Sequence, residues 1–539
     1  MRTSCDVPRA GVGRRRGHAV ARAVAVAALA LAGAAPTQAD PRPGPAERAV
    51  AATPSGAVDN LVLARLAALG LAPAATCADE VFVRRAYLDV IGTLPRLDEV
   101  KAFLRNQTPN RRAALIDALL QRDEFADYWA MKWCTLLRVK SEFPINLWPN
   151  AVQAYHRWIR TALRENVPYD RFAHDLLTSS GSNVRVPQVN FYRAVQKKDP
   201  PTLARAVALT FMGSRAEAWP KERLDGMAAF FARVGWKTTA EWKEEIVFFD
   251  VTKPAPSPTA MLPDGGVVKL TPRQDPREAF ADWLVAPGNP WFARAMANRV
   301  WSWLLGTGVV HEPDDLRPDN PPSNPELLDL LEREFVSARF DVKHLFRVIL
   351  NSKTYQRACV PTSRDPRAAG AFAHYAVRRL EAEVLIDAIN QVTGTTEAYT
   401  SKIPEPFTFM PEGQRSIALA DASVSSPFLE LFGRSARVTG LESEQRTALP
   451  TVAQRLHLLN STHVRLKLET GPGMAAMLRP TAWPRDTFDT LYLTILSRYP
   501  TPAELAAVRA YQDDVGSLPR AGVDLAWALV NSAEFQCRH

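Results

Sequence analysis

Arg299 is the side chain in this sequence that most needs explaining. It sits with Asn298 in a run otherwise built from Trp291, Phe292, Met296, Val300, Trp301 and Trp303. A guanidinium buried in such company needs carboxylate partners, and the stretch after Gly308 offers Glu312, Asp314 and Asp315. The first reading is an ion-pair network tying that loop to a helix; the alternative is a ligand site. His311, beside the same acids, would suit a hard cation, but it has no second histidine nearby, so no metal is expected. Gln414-Arg415-Ser416 and Arg434 could bind an anionic ligand or make an interdomain contact. Arg84, Arg85 and Asp89 repeat the basic-acidic theme: Arg85 and Asp89 are four apart on one helical face, where an ordinary surface pair is expected. The adjacent acids Glu244-Glu245 and Asp314-Asp315 do not give the opposed carboxylates that glycoside hydrolysis requires. No phosphate loop, G-x-S-x-G elbow, H-E-x-x-H or Rossmann glycine run occurs. The common enzyme classes are therefore disfavoured and no catalytic residue can be assigned.

The elements that position Arg299 lie between Asp275 and Tyr355. Asn289 followed by Pro290 is an N-cap with proline at the first helical position, and Gly306 supplies the left-handed stop. A second helix is expected to open at Ser323 with Glu326 as a capping box, its apolar stripe being Leu327, Leu328, Leu331 and Phe335. Asp341 caps a third that ends near Asn351. The rest of the chain reads as more of the same. Helices are predicted from Asp79 to Gly92, after Pro95, twice between Arg111 and Lys140, from Ala151, from Tyr169, over Thr202–Phe211 and Leu224–Val234, from Ala371 to Val392, and again from Val452. Trp129, Trp133 and Leu137 share one stripe and read as core. Residues 179–195 read as a surface loop and 394–447 as irregular. Glu244–Asp250 carries a β-branched and aromatic run, and Asp264-Gly265-Gly266 sits between Met261-Leu262 and Val267-Val268, which predicts a hairpin.

The fold class is therefore mainly α, arrays of helical hairpins with a small β insertion. The expected division is a signal peptide at 1–39, a flexible lead-in at 40–78, an N-terminal helical domain at 79–253, a linker and hairpin at 254–274, and a C-terminal helical domain at 275–539.

A composition of 47% hydrophobic and 23% charged residues is that of a globular protein. Arg14, Arg15 and Arg16 precede the apolar run Ala23–Ala35, and Thr37-Gln38-Ala39 offers a cleavage site, the pattern of a secretory signal. The paired arginines also permit twin-arginine export, although the rest of that motif is missing. The leader holds six arginines and Asp6, so +5 of the net +9 goes with it, and the remaining +4 gives little support to nucleic-acid binding. No later run is long and apolar enough to span a membrane. Cys77, Cys134, Cys359 and Cys537 lack metal-type spacing, and in an oxidising compartment they could form one or two disulfides of unassigned pairing.

Three segments share every spacing: Leu115-x3-Leu119-Leu120-Gln121-x3-Phe125, Leu345-x3-Ile349-Leu350-Asn351-x3-Tyr355 and Leu525-x3-Leu529-Val530-Asn531-x3-Phe535. Upstream of the first and last, Tyr87, Pro95 and Glu99 match Tyr492, Pro500 and Glu504 at identical offsets. A helical-hairpin unit used three times is the reading, with the aromatic folding back over its helix end.

The stretches RRAYLDVIGTLPRLDEVKAFL, ARAMANRVWSWLLGTGVVHEPDDLRPDNPPSNPELLDLL, LFRVILNSKTY, AQRLHLLNS and LAWALVNSAEF resemble the planctomycete-cytochrome-associated exported proteins, built from the fifteen-forty-nine and fifteen-fifty-three domains of unknown function. The resemblance runs from Asp79 to His539. It implies an exported protein, periplasmic or at the cell surface, with no established activity. Many relatives carry a Cys-x-x-Cys-His haem-attachment motif between segments like LTFMGSR and LDGMAAFFARV. Here those flanks are joined by Ala216–Arg223, without cysteine or histidine, so covalent haem cannot attach at this place and no cofactor is expected. Relatives also tend to have Cys-x-Cys where this chain has Leu441-Glu442-Ser443. The resulting expectation is an extracytoplasmic binding or assembly component without haem, whose partner is a protein or polymer. A hydrolase or other enzyme acting on extracytoplasmic polymers and an electron-transfer accessory are the alternatives.

Overall fold

A computed structural model of the chain describes residues 56–254, 258–441, 450–479 and 484–539. The leader, the lead-in up to Ser55 and Glu442-Ser443 lie outside the described residues. The fold is mainly α with three small antiparallel sheets. Strand β1 (Gly181–Ser182) and strand β2 (Val234–Thr238) flank β3 (Glu245–Phe249); β4 (Thr259–Met261) pairs β5 (Val267–Lys269), and β6 (Arg378–Arg379) pairs β7 (Cys537–Arg538). No described helix is long and apolar enough to cross a membrane.

Local signals around Arg299 act largely as their chemistry dictates. The Phe292–Leu305 helix starts where Asn289 accepts the amides of Trp291 (3.0 Å) and Phe292 (3.1 Å), and it stops at Gly306 with φ 89°. The next helix, Pro325–Ser337, is capped by Asn324, which accepts from the Leu327 amide at 3.1 Å; Ser323 instead donates to the Val309 carbonyl. Asn324 displaces Ser323 because Pro325 fixes the first helical φ one residue later. Asp341 caps Val342–Asn351 through the His344 amide.

Three expectations change. The lead-in ends at Gly56, where the Ala57–Ala68 helix begins, burying Val58, Val62 and Leu66 against Pro325–Ser337. Its Asp59 is also buried and accepts the amides of Lys353 and Thr354. The surface loop of 179–195 proves structural: β1 closes the sheet, and Asn183, Asn190, Phe191 and Tyr192 are buried. The helix expected from Ala371 begins only at Ala382, because residues 378–379 are used as β6.

Arg84, Arg85 and Asp89 overturn the surface-pair expectation, for all three are buried. Arg84 donates to the carbonyls of Ile495 and Phe535, and Arg85 to those of Tyr355, Arg357 and His539. Asp89 accepts the hydroxyls of Tyr355 (2.9 Å) and Tyr375 (2.8 Å) and lies 3.2 Å from Arg378 and 3.0 Å from Arg538. Arg538 also pairs with Glu381 at 2.6 Å, as does Lys132, and the two cations hold the Glu381 carboxyl far below its ordinary range. A helix face reads as a surface pair only while nothing covers it; here segments hundreds of residues away close over it.

The repeats converge on shared chemistry. Arg122 bonds Glu99 and Glu124 and lies 5.6 Å from the Tyr87 ring; Arg498 bonds Glu504 and Glu534 and lies 5.4 Å from the Tyr492 ring. Tyrosine and both glutamates occupy matching repeat positions, whereas the arginine comes from different places in the two units. Phe125, Tyr355 and Phe535 are buried; Phe125 packs edge-on against Phe346, and Tyr355 reaches Asp89.

Candidate functional site

Arg299 is fully buried and its guanidinium is held within the fold. Nε donates to Asp314 at 2.7 Å, Nη2 to the Leu209 carbonyl at 2.6 Å and Nη1 to the Thr210 carbonyl. Those carbonyls belong to the last turn of the Pro200–Met212 helix, where four carbonyls lose their intrahelical partners. Asn298 donates to the Val310 carbonyl at 3.0 Å and accepts the Val310 amide at 2.9 Å. Asn298, Arg299 and Asp314 thus clasp two helices to the loop after Gly308. The neighbouring acids diverge. Asp315 pairs with Arg317 at 3.1 Å, while His311 is exposed and lies 3.6 Å from Glu312. Glu244 bonds Ser182 and Thr239, and Glu245 bonds Arg193 and Lys198, so neither adjacent pair forms opposed carboxylates.

Asp315 faces a cleft of about 540 Å3. One wall is the segment Ser214–Arg223. Ala216–Ala218 forms a single 3-10 turn, Trp219 donates its indole N–H to Ser214 Oγ at 3.1 Å, and Lys221–Ala228 follows as a helix. The Arg223 guanidinium lies 4.0 Å from the Trp219 ring centroid and 5.4 Å from that of Trp291 on the opposite wall. Two cleft arginines are neutralised: Arg294 by Asp329 and Glu332, Arg317 by Asp315 and Asp319. Two line it without an ion pair among the described residues, Arg215 and Arg223. The buried Nε of each has no hydrogen-bond partner among the described residues, and burial lowers the Arg223 pKa, with Asp264 its opposing charge. No sequence pattern marked Arg223. A tryptophan four residues before an arginine, Trp219 and Arg223, was the signal available, a pairing suited to cation–π contact.

The matches to known families follow the two halves that meet here. Residues 57–224 match PSCyt2, a protein of unknown function (DUF1549), and residues 276–512 match PSD1, a protein of unknown function (DUF1553). The chain is built from these two planctomycete cytochrome-associated domains. No curated protein and no solved structure matches it.

In the PSD1 part, Arg434 and Arg415 separate. Arg434 is buried, pairing with Glu383 at 3.1 Å and donating to the carbonyls of Val424 and Asp421. Arg415 instead lines a polar pocket of about 250 Å3 at the seam with the PSCyt2 part, facing Arg122 and Glu124. Beside it, Asp387 accepts the amides of Ser416 (2.7 Å) and Ile417 (3.1 Å), and the Arg415 Nε lies 3.8 Å away. Burial outweighs these favourable contacts and pushes the Asp387 carboxyl up to about 6. Among the described residues no group of three or more His, Cys, Asp or Glu is placed to hold a metal ion, and Cys77, Cys134 and Cys537 are free thiols.

Asp387 makes a pH prediction whose sign is unusual for a carboxylate. The folded state keeps a proton that the unfolded state releases near 3.8, so this group's contribution is fully present below about pH 4 and is lost as pH rises to 6. Two units correspond to about 3 kcal/mol. Asp387→Asn should therefore gain stability relative to the parent, by up to about 3 kcal/mol, as urea titrations move from pH 4 to pH 7. Parallel pH profiles for the two proteins would remove the assignment.

Proposed function

We propose that this protein is an exported, haem-less binding component that holds an anionic polymer segment in the cleft between residues 214–223 and 290–294. One observation carries the reading: two arginines line the cleft without an ion pair among the described residues, one of them lying against the rings of both Trp219 and Trp291. An anion brought to such a guanidinium gains charge-assisted hydrogen bonds of about 1.5–3 kcal/mol each. The indoles supply flat apolar faces for the ring or chain that bears the anion. The leader Arg14–Ala39 supports placing the protein outside the cytoplasm, and the absence of cysteine and histidine from Ala216–Arg223 supports binding rather than covalent haem chemistry at this wall.

Isothermal titration with sulfated and uronic-acid oligosaccharides, set against neutral ones of equal length, tests the reading. The anionic series should bind, and Arg223→Gln should weaken binding about tenfold, since charge-assisted hydrogen bonds contribute about 1.5–3 kcal/mol. Equal binding of the neutral series would contradict it. An enzyme acting on such polymers is the second reading. It is favoured by a different observation, the high carboxyl pKa of Asp387 in a polar pocket shared with Glu124 and Arg415.

A further inference from the structure

Five aromatic side chains are strongly exposed among the described residues: Phe143, Trp242, Phe407, Phe409 and Tyr499. Four of them lie on three loops, 140–148, 240–243 and 402–409, that are far apart in sequence and meet around the ring of Trp148. Its centroid is 6.2 Å from that of Trp242 and 6.0 Å from that of Phe407, and the Lys243 ammonium lies 5.0 Å from the Trp148 ring and 5.3 Å from the Trp242 ring. At the tips Phe143 is 85% exposed and Trp242 and Phe409 are each 69% exposed. Isolated exposed apolar residues need no explanation, but such a cluster does.

Three features decide what covers it. The charges on the three loops cancel, with Lys140, Lys243 and Lys402 set against Glu142, Glu241 and Glu405, so the patch is not built to attract a strongly charged partner. The rings share no plane, Trp148 standing at 78° to Trp242 and 58° to Phe407, so they offer no flat platform along which a sugar strand could stack. Much of the backbone of the 140–148 and 402–409 loops is closed on itself. Asn146 donates to the Glu142 carbonyl, Leu147 to Lys140, Trp148 to Ser141, and Phe407 and Thr408 to Pro404. Loops with internally satisfied amides can enter a poorly hydrated layer at low cost. Aromatic tips beside an exposed lysine whose ammonium lies over the indoles match the chemistry of the lipid interface.

We propose that these three loops dock the protein peripherally on a lipid surface, with Phe143, Trp242 and Phe409 entering the interfacial layer of a bilayer. The inference is independent of the anionic-ligand cleft and uses none of its residues. The test is co-sedimentation of the protein, purified as it accumulates, with vesicles of pure phosphatidylcholine and with vesicles containing phosphatidylglycerol, alongside tryptophan emission. The expected result is partition into both vesicle types with a blue shift, changing little between ~0.05 and ~0.5 M salt, where exposed charge contacts would be screened. The triple variant Phe143→Ser, Trp242→Ser, Phe409→Ser should retain the parent melting temperature and lose partition at least tenfold, each ring being worth on the order of a tenfold change in affinity. Partition that persists in the triple variant, partition confined to phosphatidylglycerol and abolished by salt, or no partition in either vesicle type would overturn the proposal. Loop-dependent capture of a neutral glycan or a soluble protein in place of vesicles would overturn it as well.

Discussion

Asp89→Ala is expected to destabilise the protein by about 3–5 kcal/mol, as removal of one partner from a buried ionic cluster does. Two tyrosine hydroxyls and two guanidinium groups converge on this one carboxylate. Without it, Arg538 keeps Glu381, but Arg378 keeps only carbonyls and the Tyr375 hydroxyl as partners. The hydroxyls of Tyr355 and Tyr375 lose their acceptor in a place that water does not reach. Tyr375→Phe removes a donor to Asp89 and an acceptor for Arg378 and should cost about 1.5–3 kcal/mol, less than Asp89→Ala. Urea unfolding at neutral pH separates the two cases, and a cost below about 1 kcal/mol for Asp89→Ala would show that the cluster is not what holds these segments together.

Arg299→Ala is expected to cost about as much, about 3–5 kcal/mol, and for a related reason. It leaves Asp314 buried without its cation and takes the Nη donors away from the last carbonyls of Pro200–Met212. Asp314→Ala should be similarly severe, and the double variant should cost much less than the sum of the two, since both remove the same contact. Arg299→Lys should not rescue, because an ammonium cannot serve a carboxylate and two carbonyls with the geometry of a planar fork. Asp315, one residue along, pairs with an arginine that is half exposed, so Asp315→Asn should change stability by no more than about 0.5 kcal/mol. Melting curves of these five variants would show whether clasp and cleft are separable.

The sequence made the helices around Arg299 legible because their signals are local. Asn289, Gly306 and Asp341 act within three residues of where they stand. Serine and asparagine compete for a cap within one residue, and Pro325 decided for Asn324, which pattern reading could not weigh. The acids that partner Arg299 were also within reach, fifteen residues along the chain. What was not legible depends on distance in sequence. Asp89 looks like half of a surface pair until Tyr355, Tyr375, Arg378 and Arg538 arrive from the other half of the chain. Arg223 looks like a solvated helix residue until Trp291 closes over it. Asp387 sits on an apolar helical face, and its shifted carboxyl arises from burial under Ser416 and Ile417 rather than from any neighbour in sequence. The internal repeat was visible as spacing, yet its shared chemistry was hidden, because Arg122 and Arg498 reach equivalent places from unequal positions.

Ligand-induced stabilisation tests the central claim most directly. A ligand that binds only the folded state raises the melting temperature in proportion to RT ln(1 + [L]/Kd). With a sulfated oligosaccharide in excess, the parent protein should gain several degrees, Asp387→Asn should gain as much, and Arg223→Gln, with an unchanged melting temperature of its own, should gain almost nothing. An Arg223→Gln protein that gains as much as the parent would place the ligand elsewhere and contradict the account.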